Sequence, residues 1–161
     1  MIKAEILLLT AGKSSRMGQP KALLSIKGQP LISYQINRLK VLGLPITVVL
    51  GAYADAISKV VTSKEVRLVL NKDFEKGMGS SIAFGTTSIR NTNPKIDAIL
   101  VCAIDQPLIP LDHFENLLST ASKTDFSIIQ SLSEAGWRGI PTLFKSNHFE
   151  ALSKLSGDEG A

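Results

Sequence analysis

Residues 6–21 read ILLLTAGKSSRMGQPK, an apolar run followed directly by a loop of small residues. The apolar run predicts a buried strand, and the small residues after it let backbone N–H groups point at an anion. Arg16 and Lys21 add two full positive charges to this loop. Because that combination suits a triphosphate, the stretch predicts a phosphate-binding loop at the end of the first strand.

Two common phosphate-binding patterns do not match this loop. A Walker loop carries a Lys-Ser or Lys-Thr pair directly after its second glycine, and a Rossmann loop reads G-x-G-x-x-G. Residues 6–21 contain neither pattern. The other interpretation is an ordinary strand-to-helix turn with surface charge, and the many specified positions in one order favour the phosphate loop over it.

The composition is that of an ordinary globular protein, with 44% hydrophobic and 20% charged residues in a chain of 161. A chain of this length fits one domain, and we expect residues 1–161 to form it. The net charge is +4, but no run of basic residues interleaves with aromatic ones, so no nucleic-acid partner is expected. The charge instead favours solubility and attracts small molecules that carry phosphate.

Three features favour a cytoplasmic protein. No apolar stretch approaches the ~20 residues of a membrane span, and Glu5 precedes only a short apolar run, unlike a secretory signal. The lone cysteine, Cys102, excludes an internal disulfide and agrees with a reducing compartment. Because Cys102 lies within an apolar run, we expect a buried, unreactive thiol there.

Apolar runs alternate with helical patterns along the whole chain. The predicted strands are 4–9, 46–51, 66–71, 98–104, 126–132 and 141–144, and the predicted helices are 30–42, 55–62, 79–90, 111–122 and 147–155. This alternation predicts a three-layer α/β/α Rossmann-like sandwich with a mainly parallel sheet. Ligands of such sheets bind beyond the carboxyl ends of strands, so the loops after Leu9, Asn71 and Ile104 are candidate sites.

Asp105 follows the longest apolar run and precedes Gln106 and Pro107. Mg²⁺ takes one or two carboxylates and keeps water and phosphate oxygens as its other ligands, so a carboxylate at the end of a strand suits it. The alternative is an aspartate that stabilises the turn before the proline.

The segment 71–81, NKDFEKGMGSS, ends one predicted strand and opens a helix. Gly77 and Gly79 permit close approach of the backbone, and the N–H groups at a helix start can meet a polar ligand. The alternative for Ser80 is a plain helix N-cap.

The loop fits the pattern L-x-A-G-x-S-x-R-M-G-x-x-K and resembles the signature of nucleotidyltransferases, above all the molybdenum cofactor cytidylyltransferases and their guanylyltransferase relatives. The resemblance extends from Leu9 to Ala161. It implies that an NTP and Mg²⁺ bind, that a nucleoside monophosphate passes to a phosphorylated acceptor, molybdopterin, and that pyrophosphate leaves. Thr10 favours CTP over GTP, because the guanylyltransferases tend to read Ala-Gly-Gly here. A molybdoenzyme partner is also implied.

The resemblance implies a role for particular residues. It makes Arg16, Lys21 and Asp105 catalytic and makes Asp105 and Asp158 metal ligands. The residues implied in nucleotide binding are Leu9, Thr10, Ala11, Gly12, Lys13, Ser14, Ser15, Lys21, Asn71, Gly77, Met78, Ser80 and Ser81. Thr10 and the N–H groups near Ala11 and Gly79 are the candidate readers of the base.

The chain departs from the family pattern at Ile140, where relatives carry the histidine of a Gly-His-Pro sequence. This change removes a polar group from the acceptor side, so the sequence does not determine the identity of the acceptor. Trp137 either stacks on a pterin-like ring or packs on the edge of the domain. His113 and His148 lack metal-ligand spacing and are expected to be structural or solvated. Relatives continue after the element at 157–161, so we expect this chain to lack their last helix and strand.

Two other functions remain open at this point. One is a sugar- or alditol-phosphate nucleotidyltransferase, although those relatives often have a longer spacing between Arg-Met-Gly and the lysine. The other is a non-catalytic module that binds a nucleotide or the molybdenum cofactor for a partner enzyme. The presence of Arg16, Lys21 and Asp105 favours catalysis, because a module that only binds has no need to hold a metal.

Overall fold

A central β-sheet covered by helices on both faces makes up the protein. The computed structural model describes residues 2–12 and 18–158, and these residues form a six-stranded sheet and a separate two-stranded hairpin. The strands are β1 (Ala4–Leu9), β2 (Ser25–Ile26), β3 (Gln29–Pro30), β4 (Ile46–Leu50), β5 (Val66–Leu70), β6 (Ala98–Ala103), β7 (Ile128–Leu132) and β8 (Arg138–Lys145). The helices are α1 (Leu31–Leu39), α2 (Ala54–Val60), α3 (Met78–Thr92), α4 (Leu111–Lys123) and α5 (Phe149–Leu152).

The sheet is mainly parallel, as predicted. Its strand order is β5-β4-β1-β6-β8-β7. β1 pairs in parallel with β4 and β6, and β4 pairs in parallel with β5. β8 lies antiparallel between β6 and β7. The carboxyl ends of β1, β4, β5 and β6 therefore meet at one edge of the sheet.

The three predicted layers are present, and β1 shows how they form. Ile6 and Leu8 pack into a core with α1, α2 and α4, whereas Leu7 and Leu9 pack into a second core with α3 and α5. Because successive side chains of a strand point to opposite faces, a strand that is covered on both sides is apolar at every position. This is why the run at 6–9 has no polar interruption.

α3 lies unusually close to the sheet at Gly85. A Cβ atom on Gly85 would lie 2.3 Å from Leu7 Cδ1 and 2.9 Å from Val49 Cγ2. A larger residue would force Leu7, Val49 or α3 to shift, so Gly85 permits the close packing of α3 on the sheet.

All five predicted helices differ in their bounds from the structure, and the first and the last differ most. The helix predicted over 30–42 begins at Leu31, because Pro30 pairs with Ser25 in the β2–β3 hairpin, and its α-helical part ends at Leu39. The helix predicted over 147–155 is reduced to α5 after a short 3-10 turn at Ser146–His148. Short polar elements of this kind carry too few apolar positions to show a period.

Cys102 lies in β6 and is buried, as predicted. Burial raises the pKa of the Cys102 thiol far above its usual range, because the charged thiolate would lose its hydration. The side chain therefore stays a thiol at neutral pH and is no nucleophile. No helix within the described residues has the length and apolar character needed to cross a membrane.

Candidate functional site

A cavity of about 620 Å³ opens at the edge of the sheet where β1 and β6 end. The predicted residues that line it are Leu9, Thr10, Ala11, Gly12, Lys21, Gly77, Met78, Ser81, Asp105 and Asp158. Residues that are far apart in the sequence thus meet at this cavity. They lie after β1, at the start of α3, after β6 and in the segment that carries Asp158. A ligand in this cavity would contact all of them at once.

The end of β1 forms one wall of the cavity. The Thr10 backbone N–H donates to the Val49 carbonyl oxygen at 3.2 Å, and its hydroxyl donates to the same oxygen at 2.7 Å. The Thr10 hydroxyl thus ties β1 to β4, and its proton is already used within the protein. Ala11 and Gly12 continue the wall. The predicted residues Lys13, Ser14, Ser15 and Arg16 lie outside the described residues.

An ion pair of Lys21 and Asp105 also lies on the cavity wall. Lys21 Nζ donates to Asp105 Oδ2 at 3.2 Å, and the two side chains are 41% and 50% exposed. Lys21 begins a 3-10 turn, and Asp105 follows β6, where the Ile104 N–H donates to the Leu9 carbonyl oxygen at 3.1 Å. A cation and a carboxylate, both on partly exposed side chains, therefore meet at the cavity.

Arg38 of α1 holds the loop that carries Asp105. Its Nη1 donates to the Pro107 carbonyl oxygen at 2.7 Å, and its Nη2 donates to the carbonyl oxygen of Ile109. Gln35 accepts a further bond from Nη1 at 2.8 Å. An arginine within an amphipathic helix pattern gives no sign of this role, so sequence reasoning missed it.

Asn71 and Ser80 lie behind the cavity wall rather than on it, as far as the described residues define that wall. Asn71 is buried, and its Nδ2 donates to the hydroxyls of Ser80 and Ser81 at 3.1 Å each. Its Oδ1 accepts from the Asp73 N–H at 3.0 Å. Both residues were predicted to bind nucleotide, and the structure instead has them join the loop after β5 to the start of α3. They position Gly77, Met78 and Ser81.

A segment at residues 156–158 crosses the start of α3 at the glycines. The Gly79 N–H donates to the Gly157 carbonyl oxygen at 2.9 Å. Gly77 has a φ of 97°, and a Cβ atom on it would lie 2.3 Å from that oxygen and 2.5 Å from Asp158 Oδ1. The two glycines therefore let the crossing segment bring Asp158 to the cavity.

We expect Gly77→Ala to destabilise the protein by about 2–4 kcal/mol. An alanine would be strained at the positive φ of this residue, and its Cβ would overlap the backbone of Gly157. Urea unfolding measures the loss. Gly43→Ala is the matched control, because Gly43 has a φ of 67° with nothing within 4 Å of its Cβ position. Equal losses in the two variants would mean that the crossing segment does not constrain Gly77.

Sequence reasoning missed several residues of the cavity wall. These are Pro20, Ala22, Phe74, Glu75, Ala103, Ile104, Gln106 and Ile140. One available signal was Gly51 at the end of β4: a Cβ atom there would lie 2.6 Å from Phe74 Cβ. A glycine that ends an otherwise apolar strand indicates close approach of another segment.

The carboxylates fit a cation that arrives with a phosphate ligand. Among the described residues, no three His, Cys, Asp or Glu side chains form a group that could hold a metal ion. Asp105 and Asp158 on the cavity wall match the one or two carboxylates that Mg²⁺ takes beside phosphate oxygens and water. His113 and His148 instead bond to the hydroxyls of Ser131 and Ser127 at 2.7 and 2.8 Å.

A groove of about 440 Å³ adjoins the cavity, and Gln106 and Ile140 line both. It lies between the start of α4 and the β7–β8 hairpin. Trp137 lines it and is 78% exposed, so this side chain does not pack on the edge of the domain.

The sequence model of one protein family, the MobA-like NTP transferase domain, matches residues 6–161. A nicotine blue oxidoreductase of Paenarthrobacter nicotinovorans is 33% identical over 162 residues, which cover 96% of this chain and 77% of that protein. The purine catabolism protein PucB of Bacillus subtilis (strain 168) is 30% identical over 161 residues, which cover 95% of this chain and 76% of PucB.

Solved structures share the fold. The crystal structure of Rv0371c from Mycobacterium tuberculosis H37Rv superposes with a TM-score of 0.86 at 23% identity, covering 98% of this chain and 78% of that one. A manganese complex of Rv0371c gives 0.80 at 20% identity, with coverage of 97% and 78%. Molybdopterin-guanine dinucleotide biosynthesis protein A from Archaeoglobus fulgidus gives 0.68 at 16% identity, with coverage of 93% and 71%.

Proposed function

Because the chain belongs to the family of MobA-like NTP transferase domains, and is a nucleotidyltransferase, we propose that it transfers CMP from CTP to a phosphorylated acceptor, molybdopterin. Pyrophosphate is the second product. The observation that carries the proposal is the pair of Lys21 and Asp105 at the cavity beyond β1 and β6. A cation for phosphate and a carboxylate for a metal are the two groups that an NTP complex requires.

The reaction needs no nucleophile from the protein. An oxygen of the acceptor phosphate, already ionised at neutral pH, forms a bond to the α-phosphorus while the bond from that phosphorus to the pyrophosphate oxygen breaks. The protein contributes by positioning the two substrates and by stabilising charge. Cys102, the chain's lone thiol, is buried and protonated and takes no part.

Lys21 has the exposure and the position to act on the triphosphate. Its side chain is 41% exposed on the cavity wall, so Nζ can turn from Asp105 towards a bound phosphate. There it stabilises the negative charge that builds up on the leaving pyrophosphate. The sequence assigns a second cation, Arg16, to the same task.

Asp105 and Asp158 would hold a divalent metal ion, for which we propose Mg²⁺. When bound, such an ion neutralises the triphosphate and polarises its phosphorus–oxygen bonds. The manganese complex of Rv0371c supports a divalent metal in this fold. The hard oxygen donors and the small number of carboxylates favour Mg²⁺.

The molybdopterin acceptor is proposed from the family and from one structural relative. The family is described as MobA-like, and the Archaeoglobus structure is of a molybdopterin-guanine dinucleotide biosynthesis protein. The relative described as an oxidoreductase does not redirect the proposal, because the loop after β1 lacks the G-x-G-x-x-G pattern of dinucleotide-binding enzymes. Assay of pyrophosphate release with molybdopterin, a hexose 1-phosphate and ribitol 5-phosphate separates this acceptor from the sugar-phosphate alternative.

We expect CTP to bind about tenfold or more tightly than GTP. The polar groups of a site that form hydrogen bonds to one base lose those partners when another base binds. Competition among CTP, GTP, ATP and UTP with Mg²⁺ present measures the preference. Two of the predicted base readers already have partners, because the Thr10 hydroxyl donates to Val49 and the Gly79 N–H donates to Gly157. Candidates that remain on the wall are the backbone of Ala11 and Gly12 and the Ser81 side chain. A tenfold preference for GTP would replace the cytidylyltransferase proposal with the guanylyltransferase one.

A further inference from the structure

Helix α1 contacts both of the chain segments that bring Lys21 and Asp105 to the cavity. At its first residue, the Leu31 N–H donates to the Leu24 carbonyl oxygen at 2.8 Å, directly after the 3-10 turn that Lys21 begins. In the last turn of α1, the Arg38 guanidinium donates to two carbonyl oxygens of the loop that follows Asp105. A single helix therefore holds the backbone behind both members of the ion pair.

The Arg38 guanidinium is oriented by side chains of its own helix. Gln35 is buried, and its Oε1 accepts from Arg38 Nη1 at 2.8 Å. The centroid of the Tyr34 ring lies 5.5 Å from Arg38 Cζ. Residues three and four positions before Arg38 lie on the same side of the helix, so both can reach its side chain. A planar guanidinium held in this way presents donors to two carbonyl groups at once.

The loop that Arg38 holds is short and carries Asp105 at its start. The acceptors are the Pro107 carbonyl oxygen, at 2.7 Å, and the Ile109 carbonyl oxygen. A second anchor joins the loop to β8, where Gln106 Nε2 donates to a backbone carbonyl oxygen at 2.9 Å. The Asp105 side chain is 50% exposed and takes its place from this backbone, so contacts that fix the loop also fix the carboxylate.

We propose that Arg38 is a positioning residue for nucleotidyl transfer, because through the loop it fixes the position of the Asp105 carboxylate relative to Lys21. The inference rests on the proposed function and adds a residue that is not among the described residues of the cavity wall. Partners that orient a metal ligand typically change metal affinity or turnover by about 10–100-fold without touching the metal. Lysine cannot replace Arg38, because one ammonium group lacks the planar fork that reaches two carbonyl oxygens.

The test measures the Mn²⁺ concentration that half-saturates the CTP complex, by paramagnetic detection, and the affinity for CTP without metal, by calorimetry. We expect Arg38→Lys to raise the Mn²⁺ half-saturation about tenfold and to lower kcat for pyrophosphate release by a similar factor. The affinity for CTP without metal should stay within a few-fold of wild type. Gln35→Met keeps the guanidinium and removes the acceptor that orients it, so it should shift Mn²⁺ binding in the same direction by a smaller factor.

Arg67→Lys is the matched control, because it makes the same change at another arginine with several bonds. Arg67 of β5 donates to Glu5 and Thr47 and is not among the described residues that line the cavity. This variant should melt at a lower temperature and keep the wild-type Mn²⁺ half-saturation, which separates positioning from a general loss of stability.

Wild-type Mn²⁺ affinity in both Arg38→Lys and Gln35→Met overturns the inference and leaves the proposed function standing. An equal shift of Mn²⁺ affinity in Arg38→Lys and Arg67→Lys also overturns it. A wild-type chain that fails to bind CTP overturns the proposed function and this inference together.

Discussion

Asp105→Asn should lower kcat/KM for pyrophosphate release by about 10³-fold, because a metal ion and its carboxylate ligand stabilise several kcal/mol of transition-state charge. The amide keeps the shape of the side chain and removes its charge. The same change removes the carboxylate partner of Lys21, whose Nζ lies 3.2 Å from Asp105 Oδ2. We therefore expect the affinity for CTP without metal to stay within a few-fold of wild type.

The control for this variant is Asp112→Asn. Asp112 is an exposed carboxylate in the first turn of α4, away from the cavity wall as the described residues define it. Calorimetry measures CTP binding, and paramagnetic detection of Mn²⁺ with CTP present measures metal binding. Together they separate a loss of nucleotide binding from a loss of metal binding. Wild-type turnover in Asp105→Asn, together with unchanged Mn²⁺ binding, would remove Asp105 from the site.

Lys21→Ala should reduce kcat/KM by about 10²-fold, because it removes one charge that acts on the transferring phosphate. The fold should tolerate the change, since an ion pair whose side chains are 41% and 50% exposed contributes little to stability. Steady-state kinetics with a thermal melt of the same sample measures both effects.

Lys40→Ala is the matched control for Lys21. The Lys40 side chain is 39% exposed, and its Nζ lies 2.5 Å from Glu65 Oε2. The variant Lys40→Ala therefore loses a comparable ion pair away from the described cavity wall. Equal kinetics in Lys21→Ala and Lys40→Ala would contradict the triphosphate assignment.

The central strands could be predicted because burial on both faces leaves a direct mark on the sequence. β1 begins and ends at the predicted residues, Ala4 and Leu9. β8 begins three residues earlier than predicted, at Arg138, because residues 138–140 are exposed or half-buried and only Ile140 among them is apolar. The β2–β3 hairpin escaped prediction for another reason, because each of its strands has only two residues.

The position of the cavity could be predicted from the sequence, whereas the hydrogen bonds of single side chains could not. The rule that ligands bind beyond strand ends pointed to the loops after Leu9, Asn71 and Ile104, and residues of all three loops line the cavity. Whether a polar side chain faces a ligand or another segment depends on neighbours far away in sequence. The Thr10 hydroxyl donates to the Val49 carbonyl oxygen, and the Asn71 amide donates to the hydroxyls of Ser80 and Ser81. No local sequence pattern reveals either set of bonds.

Gly85 links the distance between two layers of the protein to the cavity, because α3 packs closely on the sheet at Gly85 and begins at Met78 on the cavity wall. It lies about 10 Å along α3 from Met78 by the rise of a helix, and it is not among the described residues that line the cavity. An added methyl group would meet Leu7 Cδ1 at 2.3 Å and Val49 Cγ2 at 2.9 Å, so either these side chains rearrange or α3 moves, and a stiff helix that moves takes Met78 and Ser81 with it. A library of variants that changes only the residues of the cavity wall would leave out Gly85, which permits the close packing of α3 on the sheet. An engineer who wants a new base specificity can therefore work from the interior, through the residues that α3 rests on.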